Sequence, residues 1–460
     1  MKKIILFTFL VVSLSLYAFK IDPPKVNQKT IKIKAPFGTT KIKTPDFRTC
    51  PTFLITDFGA IKGNKDKNTE AIAKAIDEAN KAGGGTVIIP EGEWETGKIH
   101  FKSNVNLHLN KGALLLFSDN PKDYLPAVHS TWEGLECYNY SPLIYAYQCK
   151  NIAITGEGGI KAKMDFWKKW AGRPAGHMNS LKRLYNMSGQ NVAVEQRIMV
   201  NDTANLRPQF IQFNRSENIL LDGISITNSP FWTVHMYLSK DIIVRNLNIY
   251  AHGHNNDGFD PEMSQNILVE NVTFDQGDDA IAVKSGRNPE GWRSKTPTKN
   301  LIIRNCTIKN GHQLLAVGSE LSGGIENVFI DNCEVLDGAK MFNLVFIKTN
   351  ERMGGYVKNI YVQNIKGSKL DFGILGIETD VLYQWKNLVP TVERRLTPIS
   401  DVYLSNVTAK NVQFIARIKG EKELPIRNIF LKSVTADKME EKEKYITENV
   451  HNFTVNPKEN

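Results

Sequence analysis

Nine times between Asn151 and Asn428 the chain repeats one short phrase: an Asn or Asp, three mostly apolar residues, then usually a polar residue and Asn. The instances are NIAIT from Asn151, NILLDG from Asn218, DIIVRN from Asp241, NILVEN from Asn266, NLIIRN from Asn300, NVFIDN from Asn327, NIYVQN from Asn359, DVYLSN from Asp401 and NIFLKS from Asn428. From the second onward the spacings are 23, 25, 34, 27, 32, 42 and 27 residues. Self-similarity at such periods marks a solenoid, and short β-branched runs separated by Gly, Asn and Asp turns make its coils β rather than helical. The expected fold is all-β, a right-handed parallel β-helix. Equivalent positions of successive coils then stack about 4.8 Å apart, so aligning the chain with itself predicts neighbours in space.

A solenoid grows by adding coils, so 460 residues are read as one long domain. Residues 1–18 have the form of a secretory signal: Lys2 and Lys3, an apolar run over residues 4–16, and Ala18 at the cleavage point. The alternative, an uncleaved anchor, needs about 20 apolar residues and the run is shorter. Residues 19–49 read as an extended leader, 50–150 as a capping region with the first coils, 151–440 as the coil domain and 441–460 as a tail. Within the capping region Ala71, Ile72, Ala75, Ile76 and Ala79 recur at helical spacing, with Asn68 as expected N-cap and Gly83 to Gly85 as the stop. That short helix would cover the open end of the first coil.

The formal charge of +10, which includes Lys2 and Lys3, fits an acidic polymer as partner and equally fits solvated lysines. The lysines are scattered without an aromatic-rich basic patch, so no nucleic-acid partner is expected, nor a stable membrane association, and the chain is read as an exported monomer. Five cysteines do not make a disulfide framework. Cys306 and Cys333 fall at equivalent positions of adjacent coils, as stacked core residues; Cys137 and Cys149 are the pair an export compartment would allow to bridge.

Three coils can be written in register: GDDAIAVKSG from Gly277, GHQLLAVGSE from Gly311 and MFNLVFIKTN from Met341. Asp278 then stacks beside His312, Asp279 beside Gln313 and Asn343, and Lys284 beside Gly318 and Lys348. The preceding coil, NNDGFDPEM from Asn255, sets Asp257 one coil from Asp279 and Asp260 one coil from Ala282. Below it SPFWTVH puts Trp232 under Asp257 and His235 under Asp260. One patch thus gathers Asp257, Asp278, Asp279, His312, Lys348 and Trp232. Crowded carboxylates raise the pKa of at least one of their number, which suits glycoside hydrolysis: one protonated carboxyl serves the leaving oxygen and another, ionised, activates water. Any single Asp is also at home in a β-helix turn, and clustered Asp residues can hold Ca²⁺.

This N-x-D, G-D-D, G-H and I-K series resembles the polygalacturonases of glycoside hydrolase family 28, from about residue 56 to 435. The resemblance implies Asp278 as general acid, Asp257 and Asp279 as the pair that activates water with inversion, His312 as support for the acid, and Lys348 as a ligand for the galacturonate carboxylate. It implies no metal or cofactor. Two departures stand out. Gln313 replaces the second Gly of G-H-G, and Phe346 replaces the Arg of R-I-K, where it shares the parity of Lys348 and would face the cleft. Arg352 or Arg287 could restore the lost cation. Asn255, Gln313, Phe346, Trp232 and Tyr383 complete the expected substrate contacts, with Glu378 and Trp385 as further cleft residues.

The expected activity is exported, inverting hydrolysis of α-linked galacturonic acid in pectin. Exo action is favoured because residues 119–206, rich in Trp and Tyr, are long enough to wall off one cleft end. The alternatives are rhamnogalacturonan hydrolysis, a Ca²⁺-dependent pectate lyase, and a noncatalytic glycan-binding solenoid.

Overall fold

The computed structural model describes residues 26–201, 205–382 and 393–456; the signal segment, Tyr383 and Trp385 lie outside them. Each repeat phrase is a parallel strand paired with the same phrase one coil away. Ile219, Ile242, Ile267, Leu301, Val328, Ile360, Val402 and Ile429 form one continuous ladder through the phrases. All eight are buried, and with their counterparts on the other faces they fill the bore of a right-handed parallel β-helix.

The repeated Asn locks this stacking. Asp241, Asn266, Asn300, Asn327 and Asn359 all have φ between 56 and 60°, the left-handed region that Asn tolerates better than most side chains. Their amides form an axial chain: Asn266 Nδ2 donates to Asp241 Oδ1 at 3.1 Å, Asn300 to Asn266 at 3.1 Å, Asn327 to Asn300 at 3.0 Å and Asn359 to Asn327 at 3.0 Å. The Asn closing the phrase does the same in Asn332 to Asn305 at 2.7 Å and Asn406 to Asn364 at 3.1 Å. One residue type thereby supplies both the turn and the coil-to-coil bond.

Among the described residues an 11-stranded parallel sheet forms the face that carries the self-aligned motifs. Val234–Tyr237, Phe259–Glu262, Ile281–Val283, Gln313–Val317, Asn343–Lys348, Gly373–Glu378 and Phe414–Lys419 lie side by side in it. Its register is the one read from sequence: His235 pairs with Asp260, Phe259 with Ile281, Ile281 with Leu315, and Gln313 with Asn343.

The helix Lys65–Lys81 buries the expected Ala71, Ile72, Ala75, Ile76 and Ala79. Its N-cap is Asn64, not Asn68, and accepts from the Lys67 amide at 3.1 Å. Asn68 sits one turn further in, fully buried, where it accepts from Ile61 N and donates to Glu95 O. The stretch read as an extended leader forms, from Asn27, an antiparallel hairpin of Asn27–Ala35 and Gly38–Asp46. The reason lies in the repeat phrase: its central apolar residues Ile243, Leu268, Ile302 and Phe329 point outward, and Ile33 and Ile42 of the hairpin cover them. The expected tail also begins as another coil, with Tyr445–Glu448 and Val450–Val455 added to the two sheet systems.

Cys137 and Cys149 are free and lie in separate apolar clusters, so they do not pair; Cys306 and Cys333 are the expected stacked core thiols. No described helix is long and apolar enough to cross a membrane.

The Asn chain predicts a specific stability series. Asn300→Ala loses two axial hydrogen bonds and forces a β-carbon without compensation into the left-handed region, at a cost of about 2–4 kcal/mol. Asn300→Gly, which relieves only the backbone part, should recover roughly half of that in urea unfolding. Equal losses for both variants would place the stabilisation elsewhere.

Candidate active site

Sheet register brings the predicted acidic residues into one cavity of about 320 Å³, lined by Trp232, Asn255, Asp257, Asp278, Asp279, His312 and Lys348. Asp278, Asp279 and His312 each offer a ligand atom within 4.8 Å of the others. His312 Nδ1 lies 3.0 Å from Asp278 Oδ1, and the His312 amide donates to the Asp278 carbonyl at 2.8 Å, so the pair is clamped through both backbone and side chain. Lys348 Nζ lies 3.3 Å from Asp279 Oδ2. Asp257 Oδ1 and Asp279 Oδ1 are buried acceptors with no hydrogen-bond partner among the described residues.

Lys284, which the sequence reading placed in register but gave no role, lies among these acids. Its ammonium is 3.6 Å from Asp257 Oδ2, 3.7 Å from Asp260 Oδ1 and 3.4 Å from Glu320 Oε2, and 4.5 Å from the centre of the Trp232 ring. Arg287 bonds to Glu320 and donates Nε to the Glu133 carbonyl at 2.9 Å. Arg287 is thus one of the two arginines considered for the missing cation and does line the cavity, but it is tied to Glu320; Arg352 lines neither this cavity nor its neighbour.

Two further lining residues, Glu133 and Arg173, come from outside the sheet. The hairpin Val128–Trp132 and Leu135–Asn139 and the helix Ala175–Gly189 pack into their own apolar cluster with Phe231 and Trp232. From this layer Glu133 and Arg173 enter the cavity. The one repeat phrase in residues 119–206, from Asn151, includes neither residue, so self-alignment could not place them. Trp232 is only 2 % exposed, with Phe231 stacked on it at 4.9 Å and Lys284 over its ring, so it serves as wall rather than as an open platform. Asn255, at φ 58°, accepts from Arg207 Nη2 at 3.2 Å. Gln313 and Phe346 line a second pocket that adjoins the first through His312 and Lys348, and Glu378 lines it too.

Electrostatics separate the acids. Burial raises Asp257 to about 8, with Asp278 adding repulsion and Lys284 opposing. Asp260 and Asp279 are also raised, by burial first. Asp278, about a fifth of its side chain exposed, is held below the usual carboxylate range by its bond to His312, whose own pKa is raised in return. The proton of that dyad therefore rests on the imidazole. Any Ca²⁺ at this cluster would have to displace His312 and Lys348 from their carboxylates and sit beside buried Lys284, whereas calcium sites offer six to eight oxygens.

The family model for glycosyl hydrolases family 28 matches residues 182–456, more than half of the chain. The chain belongs to this family. A probable polygalacturonase of Vitis vinifera is 28% identical over 396 residues, covering 83% of this chain and 73% of the grape protein. An exo-poly-alpha-D-galacturonosidase of Dickeya chrysanthemi is 27% identical over 345 residues, covering 68% of this chain but 56% of that relative's length. Among solved structures, a hyperthermoactive exopolygalacturonase from Thermotoga maritima superposes with a TM-score of 0.80 at 33% identity, covering 89% of this chain and 94% of the other. The family 28 assignment makes the chain a glycoside hydrolase.

The dyad predicts a pH signature. His312 carries its proton below its raised pKa and loses it as pH rises through that value, so the alkaline limb of kcat/KM should lie above the ordinary imidazole value of 6.5. His312→Gln should lower kcat/KM about a hundredfold at pH 6 and shift that limb, because Asp278 then loses the bond that lowers its pKa. A limb of unchanged position in the variant would detach His312 from the titrating group.

Proposed function

We propose that this family 28 hydrolase cleaves galacturonan, inverting the anomeric carbon and working from a chain end. One observation carries the reading: Glu133 and Arg173 of the inserted layer line the carboxylate cavity, which on the sheet adjoins the Phe346 pocket through His312 and Lys348. A cavity of about 320 Å³ has room for one terminal sugar, and side chains contributed from outside the sheet are what an exo-acting cleft needs to stop the polymer from threading through. The grape, Dickeya and Thermotoga relatives, by their names a polygalacturonase and two exo-acting enzymes, support the same substrate class and mode.

In this mechanism Asp278 receives the proton stored on His312 and passes it to the departing glycosidic oxygen. Asp257 and Asp279 hold the attacking water, whose proton one of them takes as the anomeric carbon is attacked from the opposite face. Lys284 and Lys348 favour the ionised form of these carboxyls, offsetting part of the burial cost that raises them. Lys348, shared with Asp279, lines both the carboxylate cavity and the pocket beside it. The apolar N-terminal run and the basic charge support an exported protein acting on an acidic polysaccharide.

A second assignment has its own support: Asp257 lines the cavity and is raised to about 8, so it holds its proton at neutral pH and could itself be the acid. Leaving-group dependence separates the two. Asp278→Asn should slow saturated-product release from polygalacturonate, in excess chelator, by at least about a thousandfold, while sparing an aryl galacturonide whose leaving group needs no proton. If Asp257→Asn spares the aryl substrate and Asp278→Asn does not, the roles are exchanged; chelator-sensitive unsaturated products would replace hydrolysis with elimination.

A further inference from the structure

Next to the carboxylate cavity the same sheet carries a pocket of about 440 Å³ lined by four rings, Phe342, Phe346, Phe372 and Phe414, together with the amides of Gln313 and Asn343 and several charged side chains. It is built over two glycines. Phe346 pairs across the sheet with Gly376, and Gly376 with Arg417. A β-carbon on Gly376 would lie 2.8 Å from Phe346 Cδ2, and one on Gly373 would lie 2.3 Å from Phe414 Cδ2. The strand Gly373–Glu378 thus leaves its backbone bare for the two rings to lie on. The pocket is continuous with the catalytic cleft: His312 stacks on Phe342 at 4.6 Å, and Phe342 meets Phe372 at 5.5 Å.

Its charges are already committed. Lys348 is engaged with Asp279, and Arg417 lies 4.1 Å over Phe414 with Nη2 3.3 Å from Glu441 Oε1. Glu378, half-buried, stands in register between Lys348 and Lys419 and adds a negative charge to the lining. A free carboxylate entering here would be desolvated against phenyl rings beside Glu378, and the cations it meets, His312, Lys348 and Arg417, are already shared with Asp278, Asp279 and Glu441. A sugar with a neutral C6 group would keep the gain from stacking its apolar face and avoid that cost.

We propose that this pocket is the subsite for the sugar adjoining the cleavage point, and that it takes that uronic acid as its methyl ester. This rests on the galacturonan reading above and narrows it: the enzyme accepts partly esterified pectin where a cation at position 346 would favour the free acid.

The test is calorimetric binding to Asp278→Asn protein of digalacturonate and its two monomethyl esters. One monoester should bind at least about tenfold more tightly than the free acid, the discrimination an apolar pocket gives for a single added carbon. In that background Phe346→Arg should reverse the preference. Phe372→Ala, at a side chain 41% exposed and so tolerant of change, should weaken the ester alone. The proposal is overturned if neither ester outbinds the free acid, including no binding by any of the three, or if Phe346→Arg leaves the ratio unchanged. Should Phe346→Arg not fold by circular dichroism, unchanged ester affinity in Phe372→Ala overturns it instead. Because binding is read without turnover, an ester preference in a protein that fails to cut polygalacturonate would fail the hydrolase reading and leave the subsite standing.

Discussion

Axial stacking at a fixed register is the constraint on which everything else in this molecule depends. In a β-helix a one-residue slip between coils would turn an inward position outward and scatter any residues gathered on one face. The Asn chain opposes that slip, since each left-handed Asn must find its partner's amide one coil away. The register so held sets Phe259 against Ile281 and Ile281 against Leu315. Asp257, Asp278, Asp279 and His312 consequently converge although they are spread over 56 positions of sequence.

Convergence of acids is costly, and the surrounding cations decide how the cost is distributed. Burial alone would raise every carboxyl in the cavity. Lys284 and Lys348 oppose that rise at Asp257 and Asp279, while His312 reverses it at Asp278. Three carboxyls of one residue type thereby acquire different proton affinities, the condition for one site to run acid and base chemistry together. Glu320, lowered to about 2 chiefly by Arg287 and Lys284, stays ionised beneath them and anchors Lys284 in place.

How much of this was legible in the sequence follows from where periodicity exists. The coil repeat gave Gln313 beside Asn343 because both sit on aligned strands, and Asp278 beside His312 because both lie in the stacked turns that lead into such strands. Phe346 was expected at the cleft from its parity with Lys348, and it lines the adjoining pocket. Glu133 and Arg173 were invisible because the inserted layer has no repeat to align. Lys284 was placed but overlooked as a functional group, since a Lys at a strand end reads as solvated until the neighbouring turns close over it. The hairpin at Asn27 did carry a signal, the alternation of TIKIKA and TTKIKT, but the outward Ile, Leu and Phe residues it covers were read only as strand formers. The Cys137–Cys149 pairing failed because one thiol belongs to the wall and the other to the bore.

The central claim is that carboxyls on two sides of the sugar act together, one on the leaving oxygen and one on a water. Its stereochemical consequence is direct. Proton NMR of the galacturonate first released from the α-linked polymer, recorded before mutarotation, should show the β-anomer. Initial release of the α-anomer would require a covalent intermediate or a different arrangement of the acids, and would contradict the account.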